Sequence, residues 1–183
     1  ESLGITEASV GAPLKTCAVS RPVGATAGGM TAYVLEAALE MDGILVINRV
    51  KTHTSFKGRV ESGLVKKLVV GLGGPSGAKQ FHTFGSEELP RLLVEIGEVL
   101  LAELPILGGV AIVENAYEET ARLAPLEPEQ FIAGEEELLL WSKSLMPALP
   151  VQQLDLLLIG EMGKNYSGTG VDTNIIGRIR IEG

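Results

Sequence analysis

Short apolar runs that alternate with longer stretches of helical character constrain this chain more than any other feature. Ile44–Ile47, Val110–Val113 and Leu154–Ile159 are each four to six residues long and mainly apolar. That pattern fits strands buried on both faces of a parallel sheet. Between and before them lie segments rich in helix formers. Thr31–Met41 repeats apolar residues at Val34, Ala38 and Met41 and ends at Asp42-Gly43, with the glycine suited to a left-handed cap. Gly63–Val70 begins as a helix. Ser86–Leu104 is amphipathic, with Glu87 and Glu88 at its start and Pro90 in its first turn or so, where each is tolerated or favoured. Glu135–Leu145 reads as another helix. Alternation of this kind predicts an α/β fold with a mainly parallel sheet flanked by helices. Pro147–Pro150 marks the boundary. Residues 1–150 read as a partial N-terminal domain whose upstream part lies before the first residue. Residues 151–183 read as the beginning of a second α/β domain, cut short.

In parallel sheets, ligands bind at the carboxyl ends of strands. Three polar segments fall there: Asn48–Gly58, Glu114–Glu119 and Glu161–Arg178. The first sits in unusual company. The chain carries a net charge of −8, which argues against a nucleic-acid surface. Yet from Arg49 to Lys79 there are seven bases (Arg49, Lys51, Lys57, Arg59, Lys66, Lys67, Lys79) and one acid, Glu61. A local cationic patch on an acidic chain suits a small anion, and the competing reading is a solvated surface. Cys17 is the single cysteine, so no disulfide framework forms within the chain. No apolar run has the length of a membrane span, and the N-terminus lacks a signal-peptide pattern. A cytoplasmic protein with neither membrane nor nucleic-acid partner is the expectation.

Four motifs carry chemistry or imitate it. Gly71-Leu72-Gly73-Gly74-Pro75-Ser76-Gly77-Ala78-Lys79 looks like a phosphate loop, but Ala78 separates Gly77 from Lys79 and Ser76 occupies a fingerprint glycine position. A tight turn needing positive φ is the better reading. His53 and His82 are the only two histidines, and both lie in polar, lysine-bordered segments. Cations near His53 should depress its pKa and favour the neutral imidazole, a base or a ligand. No HExxH, Cys/His cluster or nearby carboxylate pair accompanies them, so a metal held by protein ligands alone is not expected; one held mainly by a cofactor with one added histidine is compatible. Of the Lys66-Lys67 pair, one side chain should face inward among Leu64, Val65, Leu68 and Val69, which would lower its pKa and make it nucleophilic. Finally, Gly163–Asn174 packs polar donors, among them Lys164, Asn165 and Ser167, into a glycine-shaped loop able to hold a carboxylate or phosphate.

These segments together resemble a known family. Val46-Ile47-Asn48-Arg49-Val50-Lys51-Thr52-His53-Thr54-Ser55-Phe56-Lys57-Gly58 looks like its Asn-Arg-hydrophobic-Lys-x-His-Thr-x-Phe segment. Glu61-Ser62-Gly63-Leu64-Val65-Lys66, Gly71-Leu72-Gly73, Gly77-Ala78, His82 and Gly163–Asp172 continue the likeness. The family is the nickel-dependent lactate racemase superfamily, in its racemase-like branch of unassigned substrate. The resemblance implies a nickel-pincer nucleotide, loaded only when the enzymes that make it are co-expressed. It implies that Lys66 tethers this cofactor, that His82 ligates nickel and that His53 is an acid/base. Residues 1–150 would then be the cofactor-binding domain. Lys51, Lys164, Asn165 and Ser167 would bind substrate or phosphate. The spacing from His53 to Lys66 is longer than in the lactate racemase itself.

The implied reaction is racemisation or epimerisation of a 2-hydroxy acid by hydride transfer, with a small anionic hydroxy acid as partner. A second acid/base and a phosphate-binding motif are expected upstream of Glu1, so the chain by itself is expected to be inactive. Two alternatives stay open: the same fold without nickel, as a dehydratase or small-anion binder, and a non-enzymatic assembly unit in a homo-oligomer.

Overall fold

The structure is a computed structural model and describes residues 4–163 and 170–177. A short helix, α1 (Glu7–Val10), opens the chain, capped by the Thr6 hydroxyl. Strands β1 (Ser20–Ala25) and β2 (Thr31–Leu35) then form an antiparallel hairpin. Helix α2 (Glu36–Leu39) leads into β3 (Ile44–Arg49). The loop after β3 ends at α3 (Leu64–Lys66), which widens into a π-helical turn, Lys67–Leu72, and continues as α4 (Gly74–Phe81). Helix α5 (Leu89–Glu103), strands β4 (Ile106–Glu114) and β5 (Thr120–Leu126), a 3-10 turn (Pro128–Gln130) and α6 (Phe131–Ser144) follow among the described residues.

The α/β class expected from the sequence holds. Strands β3 and β4 run parallel, joined by the helical layer, and β5 pairs antiparallel on the far edge of β4. Pro125 sits in β5, which an edge strand tolerates because one side of it carries no ladder. One face of this sheet, with Val46, Ala111, Val113 and Ala124, is buried under the helices. The other face is open: Leu45 is 58% exposed, Ile47 53% and Leu123 60%. The strands around Ile44 and Val110 are therefore found as expected, but β3 is covered on one face only.

The core is the layer between sheet and helices. Leu92, Leu93, Ile96 and Leu100 of α5 are buried against Leu64, Val65, Leu68 and Val69. Gly97 lets α5 approach α3: a methyl there would come within 2.6 Å of Val65 Cγ1. Gly109 does the same for β4, where a methyl would lie 2.7 Å from Leu64 and 2.8 Å from Phe131. These contacts hold α3 between β4, α5 and α6.

Three sequence expectations fail, each for a physical reason. Thr31–Met41 is not one helix. Its first half is strand β2, with Ala32 and Val34 buried in alternation, because pairing with β1 overrides helix propensity. Val34 and Ala38 face the core under either description. Leu154–Ile159 forms no strand, and Leu156 and Leu158 are 73% and 85% exposed. Among the described residues the sheet is β3-β4-β5, with β5 beside β4 where a further parallel strand was expected, and Leu154–Ile159 pairs with neither edge. Gly71–Gly77 is helical rather than a turn, with positive φ (61°) at Gly74 alone in that stretch.

Because three elements meet at Gly109, Gly109→Ala is expected to lower stability by about 1–3 kcal/mol. A urea titration should show a lower midpoint at unchanged slope. An unchanged midpoint would mean that β4, α3 and α6 are not packed as described.

Candidate functional site

The site grows from the carboxyl end of β3. Backbone bonds between Lys51 and Ser62, at 2.8 and 3.2 Å, close the loop at its base. The Asn48 side chain donates to the Gly63 carbonyl at 2.8 Å, which pins the start of α3 to the end of β3. Inside this frame the loop folds on a buried carboxylate. Glu61 is fully buried and accepts the His53 N–H at 2.7 Å and the Lys57 ammonium at 3.2 Å on Oε2. Its Oε1 accepts Lys143 of α6 at 3.0 Å. Lys57 also donates to the His53 carbonyl at 2.7 Å. Both backbone polar groups of His53 are thus fixed.

Phe56 is the platform of the site. It is fully buried, with the His53 ring stacked on it at 4.1 Å. The Lys66 Nζ lies 5.7 Å from its centroid, within cation–π range. Phe81 meets Phe56 edge-on at 6.3 Å, and His82 meets Phe81 at 5.5 Å. Lys66 and His82 are sixteen residues apart. In an unbroken α-helix that separation would leave them roughly 160° apart around the axis. A π turn and a break at Gly73-Gly74 interrupt the run, and Phe81, beside His82, meets the Phe56 ring over which Lys66 lies. Gly73 makes the wide turn passable, since a methyl there would sit 2.1 Å from the Val69 carbonyl oxygen.

The electrostatics follow from burial beside cations. His53 is pushed down to about 4, by burial first and then by Lys66, with Lys57 and His82 adding to it and Glu61 opposing. The sequence pointed to the cations; burial is the larger cause. Lys66 is pushed down to about 8, by burial and then by Lys51. Lys66 is the half-buried member of the lysine pair, and Lys67 is exposed. Among the described residues neither Lys51 nor Lys66 is in an ion pair. The Ser55 N–H donates to His53 Nδ1 at 3.2 Å. A backbone N–H can only donate, so this bond favours the tautomer protonated on Nε2, while the Ser55 hydroxyl, 3.1 Å from the same Nδ1, can serve either tautomer.

His53, Lys66 and His82 are thus gathered around Phe56 and Phe81, with Lys51 exposed nearby. Lys164, Asn165 and Ser167 lie outside the described residues. Their loop nevertheless meets the site through its far end. Thr173 donates to the Thr54 carbonyl at 2.8 Å, Asn174 donates to the His53 carbonyl at 3.3 Å, and Lys57 donates to Asn174 Oδ1. Glu114–Glu119 is a hairpin turn between β4 and β5, organised by the Asn115 side chain. The sequence reading missed Glu61, Lys143, Asn174 and Glu135. Glu61 had a signal, as the single acid among seven bases, and Asn174 closes the donor-rich loop Gly163–Asn174; Lys143 and Glu135 had none that was local.

Fold and site together define an α/β domain that presents a lysine of lowered pKa and a neutral histidine at a strand end. No protein-family model matches the chain, and no curated protein matches it. Among solved structures, the chain is similar to the lactate racemase apoprotein from Thermoanaerobacterium thermosaccharolyticum, at 12% identity and a TM-score of 0.48. The match covers 64% of this chain and 30% of that one, so the chain spans less than a third of its length. Among the described residues no helix is long and apolar enough to cross a membrane.

His53 binds a proton more weakly in the folded chain than its ordinary value of 6.5. Its contribution to stability is therefore present above pH 6.5 and is lost as pH falls toward 4. In an NMR titration the His53 ring should stay neutral until pH approaches 4, and Lys66→Met should raise the midpoint by removing the largest cationic contribution. A midpoint near 6.5 would contradict this environment.

Proposed function

We propose that this chain belongs to a racemase or epimerase of a small 2-hydroxy acid, and that it carries a nickel-pincer nucleotide on Lys66. The observation that supports this reading is the gathering of Lys66, His82 and His53 around one aromatic pair, at the spacing of the motifs that resemble the racemase-like branch. The donor set fits such a group. Among the described residues there is no cluster of three or more His, Cys, Asp or Glu able to hold a metal. A metal here would have to arrive with ligands of its own, and exposed His82 would add one nitrogen. When bound, the group would supply a hydride acceptor for C2 of the substrate.

The chain's own residues do the rest. Lys66, held down to about 8, has about a tenth of its amine free at neutral pH, far more than an ordinary lysine, as a covalent tether requires. His53 is neutral at working pH and exchanges a proton with the substrate hydroxyl. In the tautomer held by the Ser55 N–H, Nε2 donates to an oxygen. When Nδ1 instead donates to Ser55 Oγ, 3.1 Å away, the Nε2 lone pair is free to accept. Both directions of a reversible reaction are thus open to one ring. Lys51 attracts the substrate carboxylate, and Lys164, Asn165 and Ser167 are assigned to substrate or phosphate. The reaction is placed in the cytoplasm.

The same unpaired cations also suit a nickel-free relative that binds a small anion, and one experiment separates the two. Full-length protein co-expressed with cofactor-making enzymes should show an adduct by intact mass and nickel by metal analysis. Lys66→Ala should lose both, and His82→Ala should keep the adduct with less nickel. A protein with neither adduct nor nickel, but with anion binding lost in Lys66→Ala, would establish the second reading instead. Neither adduct nor anion binding would leave an assembly unit.

A further inference from the structure

Glu135 is a buried acid that plays no part in the chemistry above. It lies on α6 and is fully buried. Its Oε2 accepts the Val65 N–H at 3.1 Å, and its Oε1 has no hydrogen-bond partner among the described residues. Its carboxyl occupies the space beside Gly63, where a methyl would lie 2.2 Å from both Cδ and Oε1. Gly63 has φ of −178°, extended backbone that any residue adopts. What glycine supplies is room. Three parts of the chain therefore converge on the first turn of the helical run: Asn48 on the Gly63 carbonyl, Glu135 on the Val65 N–H, and the backbone of Lys67, which donates to Gly63. Lys66 lies inside that turn.

We propose that Glu135 is a positioning residue for Lys66: seated in the space left by Gly63, its carboxyl holds the Val65 N–H and so keeps the Lys66 amine half-buried over Phe56. An acceptor at this position satisfies a donor that the helix leaves orphaned, and it fixes the turn against fraying. The seat matters because burial is the main reason that Lys66 has a lowered pKa. A turn that frays lets the amine into water, and its pKa climbs back toward the ordinary lysine value.

Glu135 is itself pushed up to about 7, by burial, with the Val65 and Leu64 N–H groups opposing. No charged side chain is among the causes. On α6, Glu136 pairs with Arg59 and Lys143 with Glu61. On the helical run, Lys66 lies over Phe56 and Lys67 is exposed. From the sheet, Glu114 pairs with Arg49. The folded chain thus holds the Glu135 proton more tightly than the unfolded chain. The stability it contributes is full below pH 4.5 and is lost as pH rises through 7.

This inference rests on Lys66 being the reactive amine of the site, not on the group it carries. The test is therefore made without cofactor. Competitive labelling with acetic anhydride, read at the Lys66 peptide by mass spectrometry, gives the amine midpoint. In the wild-type protein that midpoint should lie near 8. Glu135→Gln keeps the acceptor and should keep the midpoint. Glu135→Leu removes the acceptor and should raise the midpoint by about one unit, a tenfold loss of free amine at neutral pH. An unchanged midpoint in folded Glu135→Leu, or a Gln variant that behaves like Leu, overturns the proposal. Should Glu135→Leu not fold, the wild-type protein decides: the Val65 amide signal should titrate with a midpoint near 7, and a flat signal overturns the assignment. A negative nickel result leaves all of these readings intact.

Discussion

A carboxylate without access to water has to be neutralised where it sits. Glu61 is neutralised by ammonium groups from two different parts of the chain, Lys57 beside it and Lys143 on α6. The loop between β3 and α3 folds around this charge. Because Lys57 and Glu61 also bind the two backbone groups of His53, the charge balance and the position of the imidazole are one arrangement. Phe56 then fills the space beneath the ring, and Lys66 and Phe81 close on the same aromatic surface. The loop is polar in composition yet has a core of its own.

The cations that build this loop and face its site fall into two sets. Lys57, Arg59 and Lys143 are spent on carboxylates and shape the loop. Lys51 and Lys66 are not in ion pairs among the described residues, and their mutual repulsion adds to the burial that weakens the Lys66 proton. What a composition count sees as one basic patch thus contains both a scaffold and a reactive pair.

The sequence revealed what is local and periodic. Helices α5 and α6 and the strands around Ile44 and Val110 have strong patterns and are found where expected. Gathering His53, Lys66 and His82 required recognisable motifs, since nothing in their spacing alone says that a π turn lies between two of them. The hairpin β1–β2 was illegible because Thr31–Leu35 is strand only through its partner, Ser20–Ala25. β5 was illegible because an edge strand needs few apolar residues and can carry a proline. The pairing of Gly63 with Glu135 left no trace, because a glycine that supplies room looks in sequence like any glycine at a turn.

The widened turn at Lys67–Leu72 has a consequence for how such sequences can change over time. Each residue added to or removed from the helical run would swing everything beyond it by about 100° around the axis. The distance from Lys66 to His82 is therefore less a length than a phase, and only certain integers bring Phe81 and His82 back to the Phe56 ring over which Lys66 lies. Away from Gly73 and Gly74 the stretch has room for substitutions, but not for gaps. The loop from His53 to Lys66 obeys no such rule. It is anchored at its two ends and on Glu61, so it can change in length while its histidine stays in place.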